Sequence, residues 1–159
     1  MARSHATFAA VTIRQEDPAR PDVAELLRQG QANSEKLYPA ESNHHLPLDA
    51  LRKPEVRFFV ARDSEGEALA TGALVLQQGW AEIKCMWVAE SARRRGIARH
   101  MLDGLMTEAR GAGIEVLRLE TGFASHAALA LYDNAGFTRR GPFAGYRRDT
   151  MSVFMERRL

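Results

Sequence analysis

Six consecutive residues carry the clearest chemistry of the chain: Arg93-Arg94-Arg95-Gly96-Ile97-Ala98. They follow the apolar run Ile83–Val88 and open the helical pattern Ile97, Met101, Leu102, Leu105, Met106 and Ala109. The order is strand, short basic loop, helix. The first N–H groups of a helix lack intrahelical partners, and the helix dipole adds partial positive charge there. A phosphate suits such a place. The arginines, with Arg99 just beyond, add cationic charge, and Gly96 lets the backbone approach a ligand closely. The competing role is a solvated basic helix start.

Two further side chains suit proton transfer. Glu82 lies in the strand that precedes the loop, where a carboxylate can accept a proton. Its other role is an ion pair with Lys84, which alternates onto the same strand face. Tyr132 carries a phenol that can donate a proton, or it packs a helix onto a sheet. Ser125 can cap the helix that contains Tyr132. His44 and His45 lie in a stretch without a clean period, and Tyr38, Trp80, Phe143 and Tyr146 are either pocket or packing aromatics. Cys85 is the only cysteine, which excludes an internal disulfide; its apolar strand setting reads as a buried thiol.

These residues need a frame. Thr7–Arg14 reads as a first strand, broken by Pro18 and Pro21. Asp22 can cap a helix carrying Val23, Leu26 and Leu27, and residues 31–47 read as a loop with room for a short helix. Leu48–Arg52 suits a helical turn. Three strands follow, Arg57–Arg62, Ala68–Leu76 and Trp80–Val88, separated by turn residues. The helix after the basic loop runs to about Arg110 and ends at Gly111-Ala112-Gly113. Glu115–Glu120 is a strand, Ser125–Ala135 a helix, and Phe137–Phe143 and Met151–Leu159 are closing strands. The result is an α+β arrangement, with a mixed and mostly antiparallel sheet flanked by helices.

The bulk numbers fit one domain over residues 1–159. At 45% hydrophobic residues the chain can bury a core, and a formal charge of +2 is too small to imply a nucleic-acid partner. No metal-ligand spacing, membrane span or apolar signal core is present in the sequence, so no metal, no membrane partner and a cytoplasmic location are expected.

The loop matches R/Q-x-x-G-x-G/A, with Arg93, Gly96 and Ala98 in place, and Ala128-Leu129-Ala130-Leu131-Tyr132-Asp133-Asn134-Ala135-Gly136-Phe137 matches A-x-x-L-Y-x-x-x-G-F. On these strings the chain resembles the GNAT superfamily of N-acetyltransferases, over nearly its whole length and most closely from Glu82 onward. The tail, with Gly141-Pro142-Phe143, Tyr146, Asp149 and Ser152-Val153-Phe154-Met155-Glu156, is similar to a bacterial small-molecule subgroup. The resemblance implies the GNAT fold and direct transfer of acetyl from acetyl-CoA to a primary amine of a small molecule or peptide. It implies that residues 93–99 hold the pyrophosphate, that Glu82 is the base and that Tyr132 protonates the thiolate. It further implies a bulge in the strand of Met86 and Val88, with the Met86 N–H on the thioester carbonyl and Val88 on the pantetheine arm. Many relatives carry an amide where this chain has Ser125, whose shorter reach weakens that expected contact. A homodimer is compatible with the family. The alternative is a non-catalytic CoA-binding regulatory or protein-interaction module.

Overall fold

A computed structural model describes residues 10–159. Its sheet has seven strands in the order β1-β2-β3-β4-β5-β7-β6. They are β1 (Thr12–Gln15), β2 (Val56–Arg62), β3 (Ala68–Leu76), β4 (Trp80–Val88), β5 (Val116–Gly122), β6 (Thr138–Arg140) and β7 (Ser152–Arg158). All neighbours are antiparallel except β4 and β5. The helices are α1 (Pro21–Leu37), α2 (Leu48–Leu51), α3 (Ile97–Gly111) and α4 (His126–Asn134).

Both faces of the sheet are covered, which explains why β2 reads as a near-continuous apolar run. Phe58 and Val60 point to a cluster with Val23 of α1 and Leu51 of α2. Phe59 and Ala61 point to the opposite cluster, with Met101, Leu102 and Leu105 of α3 and Tyr132 of α4. Gly72 of β3 lies so close to α3 that a Cβ there would meet the Met101 Cγ at 2.9 Å. Backbone contact of that kind needs glycine.

The strand and helix order agrees with the sequence expectation, and the larger differences are these. The first strand begins, in the sequence reading, at Thr7; residues 7–9 and Phe8 lie outside the described residues, and β1 spans Thr12–Gln15. Helix α1 does not stop before Gln31 but continues to Leu37. Its later turns are polar in sequence, so no apolar period marks them; Gly30 instead seats against the Trp87 ring, 3.3 Å from where a Cβ would stand. Tyr38, the residue before Pro39, turns to extended backbone and ends the helix. Asp22 sits inside the first turn rather than at the cap, with Pro21 leading, and its carboxylate accepts from the Val23 N–H and from Arg62. The strand expected over Phe137–Phe143 is only three residues long, because Phe143 turns inward to an aromatic cluster.

Candidate active site

Two irregularities of β4 open the sheet. Parallel pairing with β5 covers only Trp80–Glu82 against Val116–Arg118, and beyond Glu82 the strands part. On its other side β4 bulges: Thr71 pairs with Trp87 and Ala73 with Lys84, so Cys85 and Met86 together oppose Gly72. Cys85 is left-handed, φ 60°, and its carbonyl accepts the Thr71 hydroxyl at 2.6 Å. A cavity of about 750 Å³ fills the divergence between β4 and β5.

At one end stands the basic loop. Arg93, Arg94, Gly96, Ile97 and Ala98 line the cavity, as do Met86 and Val88. The Ile97 side chain is buried in the core, so only its main chain can face a ligand. Arg94 and Gly96 are both left-handed, φ 63° and 73°, and helix α3 starts directly after Gly96 with His100 N–H donating to the Gly96 carbonyl. Left-handed residues in such a loop turn backbone N–H groups toward a concave, anion-binding side. The Arg93 guanidinium lies 4.8 Å from the Trp87 ring, and its Nε donates to the Val88 carbonyl at 3.3 Å. Arg95 is exposed and does not line the cavity. Neither does Arg99, whose guanidinium pairs with Asp103 at 3.0 Å and reaches the Asn134 carbonyl. The donor set fits a pyrophosphate with Arg93 and Arg94 as its cations.

Tyr132 and Ser125 line the middle of the cavity. The Tyr132 ring packs edge-on to Phe137 and is 4% exposed. Burial pushes its phenol well above the usual tyrosine range, so it is held protonated. Its hydroxyl has no hydrogen-bond partner among the described residues. Ser125 precedes α4 but makes no side-chain cap; its hydroxyl meets Tyr38 Oη at 2.6 Å. The Tyr38 ring in turn lies on Gly122, where any Cβ would fall 1.8 Å from its oxygen. Cys85 lines the same cavity, and burial pushes its thiol up to about 11, where it is a poor nucleophile.

The far end holds the acid–base groups. Glu82 does not line the cavity. Its carboxylate accepts from the Tyr146 hydroxyl and from Lys84 Nζ at 3.4 Å, and Lys84 also donates to Tyr146 at 2.9 Å. The Lys84 pairing expected from strand alternation is therefore present. Glu120 of β5 is the carboxylate that does face the cavity. Its neighbours Leu117 and Leu119 enter the core on the other sheet face, so alternation turns Glu120 to the α1 side. Burial pushes its carboxyl up, while the Ser152 hydroxyl, donating at 2.7 Å, and nearby His44 and Lys84 pull it back. Sequence reasoning passed over Glu120, although a glutamate in the alternating strand Val116-Leu117-Arg118-Leu119-Glu120 is a signal that could have found it. His44 and His45 both line this end, with His45 shifted down, chiefly by burial. The His44 ring stands edge-on to Tyr146 at 5.0 Å, and Tyr146, Phe143, Phe154 and Trp80 pack as one aromatic cluster. Among the described residues no group of His, Cys, Asp and Glu is arranged to hold a metal, and no helix is long and apolar enough to cross a membrane.

Comparison with known proteins identifies the family. The model of the acetyltransferase (GNAT) family matches residues 20–137. An IAA acetyltransferase of Azospirillum brasilense is 43% identical, over 94% of this chain and 98% of its own. The uncharacterized N-acetyltransferase YsnE of Bacillus subtilis is 38% identical, over 92% and 99%. Among solved structures, the acyl-CoA N-acyltransferase described as putative from Klebsiella pneumoniae superposes with a TM-score of 0.81 at 34% identity, covering 95% of this chain and 99% of that one.

Proposed function

The chain belongs to the acetyltransferase (GNAT) family and is an acetyl-CoA-dependent N-acetyltransferase; from that premise we propose that it moves the acetyl group directly to a primary amine in a ternary complex, with Glu120 as base and Tyr132 as acid. The observation that carries this reading is the cleft itself. One cavity joins the anion-binding loop, a protonated phenol with a free hydroxyl and a single inward-facing carboxylate. In the reaction the amine nitrogen forms a bond to the acetyl carbon and the carbon–sulfur bond breaks. Glu120 takes the proton released by the amine, and Tyr132 gives one to the thiolate. The Met86 N–H, at the bulge, is the donor assigned to the carbonyl oxygen, and Arg93, Arg94 and the N–H groups around Gly96 hold the pyrophosphate.

The placement of two residues supports this assignment. Glu82, the base that family resemblance implies, is turned away under Tyr146 and Lys84; its part is to position those two side chains. A covalent route through Cys85 is disfavoured, since a thiol held near 11 supplies almost no thiolate at neutral pH. Free-thiol release from acetyl-CoA over a panel of amines tests the reading. Turnover should follow sequential rather than ping-pong kinetics, and a burst of thiol without acceptor amine would overturn direct transfer.

A further inference from the structure

The charges that line the acceptor end are unequal. Glu120 is the one carboxylate among the described residues that line the cavity. Glu82 is withdrawn behind Tyr146 and Lys84, and Asp149 is tied to the Ser42 hydroxyl at 2.5 Å and to the Met151 N–H at 2.8 Å. Against that single anion stands the Lys84 ammonium, with the His44 and His45 imidazoles beside it as hydrogen-bonding groups, all lining the cavity. Tyr146 joins two of them, with Lys84 hydrogen-bonded to its hydroxyl and His44 against its ring edge. Lys84 and His44 lie near enough to Glu120 to act on it electrostatically. Lys84 spends two donors on Glu82 and Tyr146, and an ammonium has three. Its side chain is 13% exposed, so an anion inside the cavity can reach the third.

This arrangement suits one acceptor chemistry. A polyamine brings a second ammonium and would find Lys84 where it needs a carboxylate. A molecule bearing an amine and a carboxylate a few atoms apart matches both signs at once. Leu27, Leu46 and Leu51 line the neighbouring wall, together with Leu37, which is 46% exposed, so the body between cleft and mouth is apolar.

Building on the transferase reading above, we infer that the acceptor is an amino acid with an apolar side chain, whose amine meets Glu120 and whose carboxylate meets the Lys84–His44 side of the cleft. The product is the N-acetyl amino acid, formed by the same bond exchange as above. Lys84 and His44 are then specificity-determining residues, and Tyr146 and Glu82 hold them in position.

The experiment compares kcat/KM by thiol release for L-leucine, L-methionine and L-phenylalanine, for their three amides, for 2-phenylethylamine and for spermidine. The free amino acids should exceed their amides at least tenfold, and spermidine should rank lowest. Lys84→Arg should keep the preference. Lys84→Met should shrink it to about threefold or less with acetyl-CoA affinity unchanged by calorimetry. Since Lys84→Met also unpairs Glu82, a second arm uses wild-type protein: 3-phenylpropionate, a carboxylate without an amine, should inhibit competitively against the acceptor. Amides, 2-phenylethylamine or spermidine equal to or better than the amino acids would overturn the inference and leave the transferase reading intact. Absence of thiol release with every amine, despite acetyl-CoA binding, would overturn both.

Discussion

At the Arg93 end of the cleft, the lining groups come from one short stretch, Arg93, Arg94 and residues 96–98 at the start of one helix. At the Glu120 end, the groups come from β4, β5, β7, the loop after α1 and the loop before β7. In the proposed reading the first end works through main-chain N–H groups turned by two left-handed residues, so the local sequence nearly suffices to build it. The second depends on side chains brought together over long separations, such as Lys84 with Tyr146 and Glu120 with Ser152. The difference separates two tasks. A pyrophosphate is the same in every reaction of acetyl-CoA, and a fixed loop can hold it. The acceptor differs among family members, and side chains on separate elements can be changed without disturbing the loop.

Gly96→Glu should break the first end most severely. The new carboxylate would repel phosphate, and a left-handed non-glycine residue adds strain of ~1–2 kcal/mol. Acetyl-CoA affinity measured by calorimetry should fall by at least ~100-fold, about 2.7 kcal/mol. Binding close to wild type would remove the phosphate role from this loop.

Glu120→Gln should do the reverse, leaving acetyl-CoA affinity alone and lowering kcat by ~10²–10⁴-fold. Because burial raises the Glu120 carboxyl, its base form is lost as pH falls through a value above that of an ordinary glutamate. The acid limb of the kcat/KM profile should lie correspondingly high and vanish in the variant. Glu82→Gln, by contrast, should slow turnover less and raise the acceptor KM, since Tyr146 and Lys84 lose the negative charge that holds them. If Glu82→Gln is the more damaging of the two in kcat, the base assignment returns to Glu82.

Tyr132→Phe sits between the two ends and should be milder. The ring keeps its contact with Phe137, and water can replace the phenol as a donor. Single-turnover rates should drop while acetyl-CoA affinity changes by no more than one hydrogen bond, ~0.5–1.5 kcal/mol. Wild-type single-turnover rates would make Tyr132 a packing residue.

The smallest effect is expected from Tyr38→Phe, which removes only the hydroxyl bond to Ser125. A stability loss within ~0.5–1.5 kcal/mol in thermal or denaturant unfolding, with a change in acetyl-CoA KM of threefold or less, would mark this contact as a tie between α1 and the start of α4. A large loss of acetyl-CoA affinity would instead move Tyr38 into the binding machinery.

The sequence by itself determined what depends on near neighbours. The three-strand meander, the basic loop and the helix after it, the glycine at the helix start and the string around Tyr132 are all short-range patterns, and each stands where the residues indicated. The bulge at Cys85 and Met86 and the parting of β4 from β5 were implied only by the family resemblance and not by the residues themselves, because they arise from which strands pair and where pairing stops. The length of α1 came from tertiary structure alone, since its polar last turns carry no apolar period and Gly30 in its middle packs close to Trp87. The two carboxylates show the same division most sharply. Strand alternation places Glu82 beside Lys84, and that pair formed. Glu82 is engaged by the hydroxyl of Tyr146, a residue 64 positions away, whereas Glu120 lines the cavity. Local sequence encodes the direction of a side chain, whereas its access to a cavity depends on every element that closes over it.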